Sequence, residues 1–185
     1  KEGDAAWKKA FRYYRISVAP KLKDAAAARS GELERIGDRF FLMGKHWNGV
    51  PDRVQSFVGF SGKVTTPEYF EEAASLYAAA LEFVPSNRTR IFQARALGLL
   101  GRFDQATELY AMVFEKEPLV DVTTGEVNKQ RIKEKPELVT AYLELGVAEL
   151  RMALSNGRDP DRMSRANQAF DLVVRNTKTT NRGPG

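Results

Sequence analysis

The stretch that decides the fold is Ala73-Ala74-Ser75-Leu76-Tyr77-Ala78-Ala79-Ala80-Leu81-Glu82-Phe83-Val84-Pro85. Ala73, Tyr77 and Ala80 fall at i, i+4 and i+7, which puts two small residues and one aromatic on a single helical face. The proline then ends the helix, because it cannot donate to the preceding turn and its ring clashes there. A face of this kind is built for close approach: the small residues admit a partner helix and the ring fills the groove between them.

The pattern returns. Ala73, Tyr77 and Pro85 reappear as Ala106, Tyr110 and Pro118, an offset of 33 residues each time, with Val113 in the place of Ala80. Ala166, Phe170 and Val173 form a third copy. Regular self-similarity at such a period marks a repeat architecture in which each unit buries its apolar face against its neighbours.

Reading outward, the apolar spacing predicts about seven helices. Trp7, Phe11, Tyr14 and Val18 sit on one face of a first helix that ends near Pro20, and Leu33, Ile36, Phe40 and Phe41 mark a second over about 30–43. Thr66, Pro67 and Glu68 supply a start signal for a third, running to about Val84. Helices are expected over about 88–100, 104–117, 136–154 and 161–176, with punctuation at Gly101, Pro118 and the Ser155-Asn156-Gly157 turn. Residues 45–66 and 119–136 read as insertions, and Pro51 to Val58 could hold one short helix. No segment shows convincing strand alternation, so the fold class is all-α.

With the second-helix copies go first-helix ones: Leu33-x2-Ile36-Gly37-x2-Phe40, Tyr142-x2-Leu145-Gly146, and Ala94-x2-Leu97 before Gly101. Together they resemble the tetratricopeptide repeat, a helix-turn-helix unit of about 34 residues with W-x2-L-G-x2-Y in its first helix and A-x3-F…P in its second. The resemblance covers most of 30–178, as degenerate repeats over 30–85 (with the 45–66 insertion), 87–118 and 137–176. Arg90, Gln93 and Glu149 depart from it, standing where large apolar or aromatic residues are expected. A different α-hairpin repeat stays open.

The resemblance implies a right-handed superhelix, a solenoid of helical hairpins whose first helices line a concave groove for a peptide or partner helix. On that register the lining comprises Glu34, Asp38 and Phe41, then Arg88, Phe92, Arg95 and Leu99, then Leu143, Val147 and Leu150. Relatives that clamp a terminal carboxylate place Lys and Asn where this chain has Glu34 and Asp38, and two acids would repel such a ligand. A partner with basic residues near Glu34 and Asp38, and apolar or acidic ones near Arg88 and Arg95, suits the lining better.

The chain has 185 residues, and 43% of them are hydrophobic, enough for a sizeable core. No apolar run approaches the roughly 20 residues of a membrane span. The net charge of +5 is concentrated: residues 1–29 hold eight Lys or Arg against Glu2, Asp4 and Asp24, and the remainder balances. Nucleic-acid binding through Lys8, Lys9, Arg12 and Arg15, with Tyr13 beside them, is therefore one alternative reading. Another is a structural segment of a larger solenoid or envelope assembly that self-associates through its terminal helices, since Ala10-x3-Tyr14-x2-Ser17 resembles the second helix of a preceding repeat.

Catalytic material is scarce. There is no Cys and a single histidine, His46, so zinc-type sites and Ser-His or Cys-His nucleophiles lack residues, and no cofactor is expected. Gly62-Lys63 is followed by Val64 rather than Ser or Thr, so no phosphate loop is supported. Gly59-Phe60-Ser61-Gly62 is too short for a nucleophile elbow. The expectation is a non-enzymatic protein-binding module. Lys1 in place of Met, and the linker-like 179–185, suggest a fragment of a longer protein, and the lack of disulfides suits cytoplasm and bacterial periplasm alike.

Overall fold

A computed structural model describes residues 26–47, 66–121 and 126–180. Among them are seven helices: α1 Ala26–Trp47, α2 Thr66–Leu81, α3 Asn87–Leu99, α4 Phe103–Lys116, α5 Lys129–Glu134, α6 Glu137–Ser155 and α7 Pro160–Thr180. The only β-type pairing among the described residues is an isolated antiparallel bridge, Val120 with Val127, so the chain is all-α. It divides into two compact units, 1–100 and 101–185. No described helix is long and apolar enough to cross a membrane.

In the first unit α1 packs on α2, and α2 on α3. The α1/α2 pair is antiparallel: Ser30 Oγ donates to the Ala80 carbonyl at 3.1 Å, Gly37 faces Tyr77, and Gly44 faces Phe70. The glycines make this approach possible. A methyl group added at Gly37 would stand 2.9 Å from Tyr77 Cε1, and one at Gly44 would stand 2.7 Å from Phe70 Cε1. Ala73, Tyr77 and Ala80 are fully buried, as their spacing predicts. Ser86 opens α3, its side chain accepting the Thr89 amide at 3.3 Å and satisfying one of the helix's free donors.

The second unit is built on α4, α6 and α7. Its α6/α7 hairpin repeats the first unit's device: a methyl at Gly146 would meet Phe170 Cε1 and Ala169 Cβ, each at 2.9 Å. Gly37 with Tyr77 and Gly146 with Phe170 thus occupy the same places in their sequence motifs. Two consecutive residues with positive φ, Gly157 and Arg158, turn the chain between the helices, and Asp159 accepts the amides of Asp161 and Arg162 at the start of α7. Against α4, Tyr110 donates to Glu144 Oε2 at 3.0 Å, and Phe114 meets Tyr142 edge-on at 4.7 Å.

The six helices expected over about 30–43, 66–84, 88–100, 104–117, 136–154 and 161–176 are all present, with ends displaced by a few residues. α1 begins four residues early, at Ala26, inside the segment read as N-terminal. The described parts of the insertion, 119–121 and 126–136, are more ordered than their polar sequence implies. Leu119 is buried, Asn128 caps α5 by accepting the Arg131 amide, and Lys135 pairs with Glu117. The helix expected around Trp7 to Val18 and the short one at 51–58 lie outside the described residues.

Candidate protein-binding faces

Glu34, Asp38 and Phe41 recur at i, i+4 and i+7 on α1, and Arg88, Phe92, Arg95 and Leu99 at i, i+4, i+7 and i+11 on α3. The two rows meet in the first unit. Arg88 Nη1 reaches Glu34 Oε2 at 3.3 Å and Arg88 Nη2 reaches Asp38 Oδ2 at 3.2 Å, so one guanidinium spans both acids. The other oxygen of each carboxylate is held from the core: Thr89 Oγ1 donates to Glu34 Oε1, and Tyr77 Oη donates to Asp38 Oδ1 at 2.8 Å. Thr89 and Tyr77 are both fully buried.

Aromatic packing supports this face from beneath. Phe41 is buried and meets Phe70 at 5.7 Å and Phe92 at 6.0 Å, edge to face. Phe92 in turn lies 5.9 Å from Tyr77. The guanidinium of Arg88 lies over the Phe92 ring at 4.8 Å and that of Arg95 at 5.1 Å, both within cation–π range. Phe41 is therefore part of the floor and not of the lining, whereas Arg88 and Leu99 are exposed.

Electrostatically, Arg88 sets one positive charge against the two carboxylates from within the chain. The sequence reading had assigned that role to a partner, because nothing local links position 34 or 38 to a residue about fifty places away. Burial, then the hydrogen bond to Asp38, pushes the Tyr77 phenol far above its usual pKa. It therefore remains a neutral donor to the carboxylate at physiological pH.

In the second unit, Leu143, Val147 and Leu150 lie along α6 at i, i+4 and i+7. Leu143 is 39% exposed and Val147 43%, and one turn beyond Leu150 comes Leu154 at 54%. Leu150 itself is half-buried. Apolar residues scattered singly over a surface are ordinary, but three exposed ones in one helical row are not. The opposite face of α6 is anchored in the unit: Leu138, Ala141 and Ala148 are buried, and Glu149 is buried between Arg162 and Arg165 of α7. Leu154 is the member of the row that the sequence reading missed, although its i+11 spacing from Leu143 would have found it.

Among the described residues no cluster of three or more His, Asp or Glu could hold a metal ion. The basic positions Lys8, Lys9, Arg12 and Arg15 lie outside the described residues. No protein-family model matches this chain, and neither a curated protein nor a solved structure does.

Proposed function

We propose that the chain is a non-catalytic protein-interaction scaffold of tetratricopeptide-like helical hairpins, which takes a peptide or partner segment on its first-helix faces. The observation that carries this reading is the row Leu143, Val147 and Leu154, exposed on either side of the half-buried Leu150, on a helix whose opposite side buries Leu138, Ala141 and Ala148. Supporting the hairpin-repeat part is the recurrence of one packing device, glycine against aromatic, at Gly37–Tyr77 and Gly146–Phe170. Rows of this kind supply anchors for apolar side chains at alternating positions of a bound segment.

The test is selection of displayed peptides on the chain, followed by calorimetric titration of the winners. Leu143→Asp with Val147→Asp, both on the exposed face, is expected to leave the circular dichroism spectrum intact. Affinity is expected to fall at least about tenfold, the effect of losing one or two interface anchors. Failure to select any peptide, or equal affinity for the substituted chain, would remove the proposal.

A further inference from the structure

The acidic pair of the first unit has the makings of a receptor whose guest is already in place. Each carboxylate has one oxygen fixed by a fully buried hydroxyl, Thr89 for Glu34 and Tyr77 for Asp38, and presents its second oxygen outward. Those two outward oxygens, Glu34 Oε2 and Asp38 Oδ2, are the ones that accept from the two terminal nitrogens of Arg88. The Phe92 ring lies 4.8 Å beneath the guanidinium carbon. Two oriented acceptors beside an aromatic face match a planar, forked cation and do not match the compact ammonium of lysine.

The guest is loosely held. At 3.2 and 3.3 Å the contacts are longer than the roughly 2.7–2.9 Å of strong charge-assisted hydrogen bonds, and the Arg88 side chain is 54% exposed. A pair this open to solvent contributes little to stability. The receptor side is the reverse, because both hydroxyl anchors are buried and the ring is wedged between Phe41 and Tyr77. Release of Arg88 would therefore vacate the site without dismantling it.

We infer that Glu34, Asp38 and the Phe92 ring form a guanidinium-binding site that Arg88 fills in cis, and that an arginine of a partner segment takes its place. This rests on the reading of the face as a protein-binding surface and names the side chain it selects. Arg88 then acts as an internal competitor, which raises the threshold for entry and admits arginine in preference to lysine.

The experiment uses the full chain and two small probes, N-acetyl-argininamide and N-acetyl-lysinamide, followed by amide chemical shifts. Arg88→Ala is expected to bind the arginine probe at least about tenfold more tightly than the unsubstituted chain, with shifts at positions 34, 38, 89 and 92. The lysine probe is expected to bind no better after the substitution, and Glu34→Gln with Asp38→Asn on the Arg88→Ala background is expected to abolish binding. Arg88→Gln, which keeps the stem of the side chain, serves if Arg88→Ala unfolds. Equal affinity with and without Arg88, equal binding of the two probes, or shifts confined to other positions would each overturn the inference. Because these probes read only the first unit, they can fail while the peptide selection on α6 succeeds, and the reverse.

Discussion

Gly37 faces the edge of the Tyr77 ring so closely that no β-carbon fits between them. The ring has little room to yield, being fully buried with its hydroxyl committed to Asp38. Gly37→Ala is therefore expected to destabilise the fold by about 1–3 kcal/mol, the usual cost of overpacking. Gly31, in the same helix, has nothing within 4 Å of an added methyl, so Gly31→Ala is expected to stabilise by up to about 1 kcal/mol through helix propensity alone. Urea denaturation of the two variants checks both signs, and a stable Gly37→Ala chain would contradict the close approach.

Tyr77 also predicts a loss of stability in alkali. Its phenol has a higher pKa folded than unfolded, mainly through burial, so folding favours the protonated form. That contribution is complete below the unfolded value of about 10 and disappears as pH rises from there towards the folded value. Tyr77→Phe removes the effect along with the hydrogen bond to Asp38. The stability gap between the native chain and this variant should be constant near neutrality and narrow above about pH 10. Chemical denaturation across that range measures it, and a gap independent of pH would count against the burial argument.

Glu149 sits where the repeat pattern calls for an aromatic, and Arg162 and Arg165 both reach it at 3.0 Å. Removing both arginines strands a buried carboxylate, so Arg162→Ala with Arg165→Ala is expected to cost about 3–5 kcal/mol. Replacing Glu149 by Met as well should recover much of that loss, since the apolar side chain needs no cation. Thermal unfolding of the double and triple variants decides it. Additive losses would mean that the three residues do not act together.

At the start of α3, Ser86→Ala removes the side chain that accepts the Thr89 amide. The expected cost is about 1 kcal/mol, with Ser86→Asp nearly neutral. Thr89 is the residue that holds Glu34, so hydrogen exchange at its amide should rise in the alanine variant and not in the aspartate one. Unchanged exchange would separate the cap from the acidic site.

Which parts of this were legible in the sequence follows from the range of the interactions. Helical periodicity is local, and Ala73-x3-Tyr77 and Ala106-x3-Tyr110 announced their buried faces without any knowledge of partners, whereas in the third copy Phe170 and Val173 are only half-buried and the helix buries Ala166, Ala169 and Leu172. Gly37 and Gly146 stood out in the first-helix motif, but that they face Tyr77 and Phe170 emerged only from the structure. α5 could not: it is six residues long, polar, and defined by the Asn128 cap and the Lys135–Glu117 pair. The engagement of Arg88 with Glu34 and Asp38 was also hidden, since it joins α3 directly to α1, far apart in the chain, and leaves no trace in local spacing. Glu149 looked like a defect for the same reason, its cations lying 13 and 16 positions further along the chain.

The Glu149 cluster has one more effect, on alignment and not on strength. Sliding α7 along α6 by a single turn, about 5.4 Å, would carry at least one of the two arginines away from the carboxylate and leave a buried charge with half its compensation. Leucine contacts would tolerate such a slip, but ions with fixed addresses do not. The hairpin is in this sense keyed: its two helices mesh with both ion pairs at one offset, and neighbouring offsets cost it at least one of them.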